Sequence, residues 1–229
     1  FFCQPGYHGG GEYGKAVFRK LADDLASRGR FELWAALNPE LFIDPWVYEI
    51  CREHAINIIA VRSYDEIVEL VNRDLFEAFF APALVVYTKY EYMRRVGGKL
   101  PFKCTKTKVW GTLHDIRDYQ LACEREKVLH FRRSLGCPAE SAMSEQQIAA
   151  DIARNHRLAE NLRRMYQGIL SDPVPAGIIT ISEYSRSSIE KEIGQSAHPI
   201  RVFMSPMKAR PAPAPFDDPA ANYQDRNYV

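Results

Sequence analysis

The sequence has almost no net charge: its 229 residues carry 30 Lys+Arg against 29 Asp+Glu, a formal charge of +1. A protein that grips a phosphate backbone needs a basic excess, so general nucleic-acid binding is disfavoured. No stretch approaches the roughly 18 consecutive apolar residues that a membrane-spanning helix requires. Paired cysteines are missing as well. Cys3, Cys51, Cys104, Cys123 and Cys137 are odd in number and no two are spaced CxxC. That predicts reduced thiols in a cytoplasmic protein, not a disulfide framework or zinc site. The six histidines show no H-x-x-x-H spacing, so no metal is expected. No internal repeat is visible.

What is there is ordinary globular material, 46% hydrophobic and 26% charged. A chain of this length buries about 70% of its unfolded surface and needs no staple. Residues 1–4 look like the end of a buried strand, and 5–11 are a loop with four glycines. Residues 14–28 read as a helix with Ala16, Val17, Leu21 and Leu25 on one stripe. Further strands are expected at 31–37, 57–61, 75–80, 106–112, 177–181 and 200–204. Helices are expected from Pro45, over 64–72, 84–95, 117–135 and 144–169, and from Ser182. Ser144 with Gln147 three residues on forms a capping box. Strands alternating with helices predict an α/β fold, a Rossmann-like doubly wound and mostly parallel sheet. Such sheets bind ligands at the carboxyl ends of their strands. Residues 1–205 form that domain, and 206–229, with five prolines between 206 and 219, read as a linker leading to a second domain. The first and last residues read like a strand end and a strand start, as in a piece of a longer protein.

The glycine segment Gly9-Gly10-Gly11-Glu12-Tyr13-Gly14-Lys15 lies between a strand and a helix. Bare backbone N–H groups there suit an anion, and glycines let a diphosphate approach. Gly9, Gly11 and Gly14 satisfy G-x-G-x-x-G, but Pro5 to His8 separate them from the strand, and Glu40 is the nearest acid to the second strand's end. Gly9, Gly14 and Lys15 satisfy G-x-x-x-x-G-K, but Ala16 stands where a magnesium-holding Ser or Thr belongs. A glycine turn with no ligand is the remaining alternative.

A third template covers more of the chain. The segment Gly9-Gly10-Gly11-Glu12-Tyr13-Gly14-Lys15-Ala16-Val17-Phe18 resembles the N-terminal loop of glycosyltransferase family 4, retaining enzymes of GT-B fold. Val109-Trp110-Gly111-Thr112-Leu113-His114-Asp115 is similar to that family's strand ending in a His-Asp pair. Ile178-Ile179-Thr180-Ile181-Ser182-Glu183-Tyr184-Ser185 looks like its late strand and Ser-Glu turn, and Val202-Phe203-Met204-Ser205-Pro206-Met207-Lys208 like the segment closing its first domain. The resemblance implies the N-terminal, acceptor-side domain of a retaining glycosyltransferase, a hexosyltransferase of polysaccharide biosynthesis. It would transfer a sugar from a nucleotide-sugar donor to a glycan or lipid-linked acceptor, and be inactive without its C-terminal domain. No cofactor is expected beyond the nucleotide-sugar substrate. The alternatives are an NAD(P)-binding oxidoreductase domain or a non-catalytic binding module.

The resemblance makes His114 and Asp115 the catalytic candidates. His114 would donate a hydrogen bond to a sugar hydroxyl, with Asp115 fixing its tautomer. The alternative is a histidine satisfied by the loop backbone. Donor or acceptor contacts are expected from Gly9, Gly10, Gly11, Glu12, Tyr13, Lys15, Arg117 and Ser182, with His8 a weaker candidate. Ser182 also reads simply as a helix cap. Residues 89–108 hold seven basic side chains against Glu91, interleaved with Tyr90, Tyr92, Leu100 and Phe102. That pattern predicts peripheral contact with an anionic membrane, or a solvated face.

Overall fold

The computed structural model describes residues 9–29, 31–41, 44–88, 99–121, 123–125 and 144–204. The expected strand at 1–4, the helix beyond 125 and the linker from 206 lie outside them. The order is α1 (Gly9–Arg28), β1 (Trp34–Leu37), α2 (Pro45–Glu53), β2 (Asn57–Ala60), α3 (Tyr64–Asn72) and β3 (Ala78–Ala81). A 3₁₀ turn (Leu84–Thr88) follows, then β4 (Lys108–Thr112), α4 (Arg117–Gln120) and α5 (Glu145–Ser171). The chain continues through β5 (Pro175–Thr180), α6 (Glu183–Ser188), a π-helical turn (Ile189–Ile193) and β6 (Ile200–Val202). Every strand pairing is parallel, in one sheet of order β1-β2 and another of order β3-β4-β5-β6. Parallel neighbours need a crossover between them; α2 supplies it between β1 and β2, and α4 and α5 between β4 and β5. The mixed α/β class with parallel strands is therefore as expected. Among the described residues no helix is long and apolar enough to cross a membrane.

The caps follow from the sequence. Asp44 accepts from the Trp46 N–H at 3.1 Å, with Pro45 opening α2. Ser63 accepts from Glu66 N–H ahead of α3. The capping box of α5 closes in both directions, Gln147 N–H to Ser144 Oγ at 3.2 Å and Ser144 N–H to Gln147 Oε1 at 3.0 Å.

Two expectations are corrected. The glycine segment is not a loop: α1 starts at Gly9. Its buried stripe is Tyr13, Val17, Phe18 and Ala22, one step round from the expected one. Burying that stripe outweighs the roughly 1 kcal/mol each glycine costs in a helix. The helix expected from 117 ends after one turn, where Gln120 Nε2 donates to Glu192 at 2.6 Å and the chain turns at Leu121. Of the helix expected over 84–95, only the 3₁₀ turn is described.

Two cores support the sheets. The larger gathers Leu84, Val109, Leu113, Ile169, Leu170 and Ile178 between the second sheet, α3 and α5. The smaller packs Phe18 and Ala22 of α1 against Ala35 and Leu37 of β1 and Val47 and Ile50 of α2. Ala36 and Ile59 turn the other face of β1 and β2 towards the larger core. Cys51, Cys104 and Cys123 are free thiols, and burial pushes each above its ordinary pKa.

Two carboxylates tie loops to this frame. Asp74, in the left-handed region at φ +55°, accepts the N–H groups of Thr105, Lys106 and Thr107 and the Thr105 hydroxyl, all within 3.1 Å. The backbone N–H groups of Thr107 and Thr105 hold its carboxyl far below the ordinary value of 3.8. Asp172, buried at the end of α5, accepts from Leu100 N–H at 2.9 Å and Val174 N–H at 3.0 Å.

Two outcomes follow. A Cβ at Gly111 would lie 2.6 Å from Leu84 Cδ1 and 3.0 Å from Leu84 Cβ, and Leu84 is fully buried. Gly111→Ala should cost about 1–3 kcal/mol in urea unfolding, and the double variant with Leu84→Ala less than the sum of the singles. For Asp74 the depressed folded pKa means its stabilisation is complete above the unfolded value and lost as pH falls through the folded one. Wild-type stability should exceed that of Asp74→Asn at neutral pH, and the difference should shrink below about pH 4. A pH-independent difference would show that the charge plays no part.

Candidate functional site

The carboxyl ends of three neighbouring strands converge on one imidazole. His114 follows β4, and its Nε2 lies 2.9 Å from the carbonyl oxygen of Pro82, the residue after β3. From β5, Thr180 Oγ1 donates to the His114 carbonyl at 3.4 Å, and the Ile179 carbonyl accepts from Leu113 N–H at 2.8 Å. A fourth element arrives from above. Tyr13, one turn into α1, sets its ring edge-on to the imidazole, centroids 4.8 Å apart at 80°. Its hydroxyl lies 3.5 Å from Thr112 Oγ1 at the end of β4. Burial pushes the Tyr13 phenol above its ordinary pKa, with the Thr112 hydrogen bond opposing. Thr112 and Thr180 are fully buried.

A carbonyl only accepts, so Nε2 carries the ring proton. In the neutral imidazole Nδ1 is then the acceptor. This corrects one expectation. The tautomer is set by Pro82 and not by Asp115, whose carboxylate takes Arg117 N–H at 3.1 Å and Arg117 Nε at 2.7 Å. The alternative reading, a histidine satisfied by the loop backbone, fits the Nε2 contact.

The remaining candidates fall into three groups. Gly9, Gly10 and Gly11 form the first turn of α1, whose N–H groups have no partner within the helix. Lys15 Nζ sits between Glu12 Oε1 at 2.5 Å and Asp44 Oδ2 at 2.7 Å. Burial pulls its pKa down, the hydrogen bonds to Asp44 and Glu12 outweigh that, and the net shift is upward. Its charge therefore serves to tie α1 to the start of α2. Arg117 is exposed and paired with Asp115.

Ser182 caps α6, its Oγ accepting from Ser185 N–H at 3.0 Å and meeting Ser185 Oγ at 2.9 Å. Glu40, the acid an NAD(P) site would need, is exposed and paired with Arg62 at 3.1 Å. His8 lies outside the described residues, as do 89–98. Of the basic stretch, Lys99, Lys103, Lys106 and Lys108 are exposed, but Leu100 and Phe102 are buried in the larger core. The apolar half of the membrane reading is thereby removed from 99–108.

Sequence reasoning missed Pro82, Thr112, Thr180 and Asp44. Pro82, directly after the strand of residues 78–81, was the legible one, since a proline cannot extend a central strand.

The tautomer is open to direct measurement. Nitrogen-15 NMR at neutral pH should show the His114 proton on Nε2, and a proton on Nδ1 alone would contradict the Pro82 bond. His114→Phe keeps the ring bulk but takes the donor from a buried carbonyl, so it should cost about 1–3 kcal/mol in urea unfolding.

No protein-family model, curated protein or solved structure matches this chain.

Proposed function

We propose that this chain is the N-terminal, acceptor-side domain of a retaining glycosyltransferase that moves a sugar from a nucleotide-sugar donor to a glycan or lipid-linked acceptor. The observation that carries the reading is the junction at His114. Three strand ends and α1 meet there, at the edge of a parallel sheet where such folds take ligands. The sequence likeness to glycosyltransferase family 4, quoted above, supplies the reaction class.

The residues have definite tasks in this reading. The first turn of α1 faces the departing diphosphate with backbone N–H groups, which favour negative charge at a helix start. His114 stands beside the donor sugar, and Pro82 and Tyr13 hold the ring in place. Retention needs no protein nucleophile: the acceptor hydroxyl is placed beside the leaving diphosphate on the same face, and its proton passes to that leaving oxygen. Catalysis is then positioning and charge stabilisation. Asp115 acts by holding Arg117, and Ser182 by capping α6. The four exposed lysines of 99–108 are left for an anionic acceptor or surface.

Protein expressed from the whole open reading frame should release nucleoside diphosphate from UDP-, GDP- or ADP-glucose in the presence of a glycan or lipid-phosphate acceptor. His114→Ala should lower kcat roughly ten- to a hundredfold, equivalent to about 1.5–3 kcal/mol, with a smaller change in acceptor KM. Unchanged turnover in a folded His114→Ala protein would remove His114 from the reaction. Micromolar binding of NAD(H) to residues 1–229 would overturn the assignment in favour of a dinucleotide domain.

A further inference from the structure

Cys123 and His156 stand 33 positions apart in the chain, yet Cys123 Sγ lies 3.2 Å from His156 Nδ1. The elements on either side build this contact. His156 lies in the middle of α5, whose start is fixed by the Ser144 capping box. Cys123 follows α4 in a turn closed by Glu124 N–H on the Leu121 carbonyl at 3.2 Å. Side chains tie that turn down before and after the cysteine. Before it, Gln120 donates to Glu192 at 2.6 Å. After it, the Arg125 guanidinium forks onto the Glu145 carboxylate in the first turn of α5, at 3.0 and 2.9 Å. A planar fork fixes direction as well as distance. The thiol is thereby presented to the imidazole by a chain held at both ends.

The pair is open to reagents. Cys123 is half-buried and His156 is exposed, whereas Cys51 is buried in the smaller core. The reaction proposed above uses neither residue.

A thiol reacts as its thiolate, so its reactivity depends on where its proton can go. Burial and the Glu124 carboxylate both disfavour a negative sulfur. An imidazole in hydrogen-bond contact opposes them. It is the side chain that takes a proton near neutral pH, and the imidazolium it becomes then faces the sulfur directly. An adjacent base of this kind is what activates a thiol as a nucleophile.

We propose that Cys123 and His156 form a thiolate–imidazolium pair that exchanges with small disulfides, a modification site on the α4–α5 surface. The step balances with the disulfide as the oxidant. The Cys123 proton passes to His156 Nδ1 and the sulfur attacks one sulfur of RSSR. A new S–S bond forms as the old one breaks, and the departing RS⁻ takes the proton from the imidazolium. Thiol plus disulfide gives mixed disulfide plus free thiol. The Cys123 sulfur is oxidised and the departing half of RSSR is reduced. A neutral disulfide suits the site, because Arg125 is already paired with Glu145 and Glu124 repels an anion.

Iodoacetamide, a neutral alkylating agent, reads the thiolate. At about pH 6.5 an ordinary thiol is roughly 1% ionised. Cys123 in the folded chain should then be alkylated at least about fivefold faster than in the urea-unfolded chain, the larger thiolate fraction being partly offset by the lower nucleophilicity of a more acidic thiol. Peptide mapping reads each cysteine separately. His156→Gln, at an exposed helical position, should abolish the gain. Bis(2-hydroxyethyl) disulfide should place a mercaptoethanol adduct on Cys123 ahead of Cys51 and Cys104, and dithiothreitol should remove it. A folded rate no faster than the unfolded one overturns the proposal, and that arm needs no variant. A fast rate that survives His156→Gln overturns it by taking His156 out of the pair. An adduct that forms first on Cys51 or Cys104 overturns the choice of site.

Discussion

A parallel sheet points every strand's carboxyl end the same way, and that constraint organises this molecule. Each strand must return through a helix before the next can begin, so residues distant in sequence reach one edge. Pro82, Thr112, His114 and Thr180 meet there because each stands at or just after the end of its strand. A carbonyl after β3 accepts the imidazole Nε2–H, the Tyr13 ring packs edge-on against it, and the Thr180 hydroxyl on β5 donates to the His114 carbonyl. Small shifts of β3 against β4 would therefore be felt directly as a loss of that hydrogen bond. The paired registers of these strands are what keep the ring in place.

The opposite edge does different work. Asp74 precedes β3 and collects the loop ahead of β4, while Asp172 precedes β5 and collects Leu100. The Asp172 carbonyl also meets His198 Nε2, two residues before β6. The amino ends of β3, β4 and β5 are thus stapled by two carboxylates whose oxygens are satisfied largely by backbone N–H groups, and that of β6 by the Asp172 backbone carbonyl. Hydrogen bonds to a charged acceptor are stronger than neutral ones, so such staples fix loops without a large apolar contribution. Stability devices sit at one edge and the candidate chemistry at the other. Neither has to be compromised for the other.

Most of the fold was legible because the signals were local. Pro45 at a first helical position and Ser144 ahead of Gln147 are helix-start chemistry read within four residues, and both helices start where those residues stand. The glycine helix was not legible, because its stability comes from Tyr13, Val17 and Phe18 meeting a sheet that local sequence does not reveal. The apolar residues interleaved in 99–108 are likewise placed by packing that local sequence does not reveal, since Leu100 and Phe102 belong to the core. At the site, His114 and Tyr13 were found by position and motif. Their contact, and the roles of Pro82 and Thr180, depend on register between strands 30 to 70 residues apart in the chain.

Charge sets the remaining limit on what this edge can hold. A lysine next to glycines invites a phosphate reading, but Lys15 is enclosed by Glu12 and Asp44. Adding a phosphate there would place a third and fourth negative charge against one ammonium, and the two carboxylates would repel it. Arg117 is likewise paired with Asp115 on the surface, where its attraction is screened by water. An anion brought to this edge must therefore be met chiefly by neutral donors. The first turn of α1 provides such donors, with the Glu12 carboxylate of that turn paired to Lys15. Neutral donors bind a diphosphate less tightly than a lysine does, but they stabilise whatever charge it gains as a bond to it breaks. Helix-start N–H groups can hold the diphosphate of a dinucleotide or stabilise a departing one, and under the proposed function they do the latter.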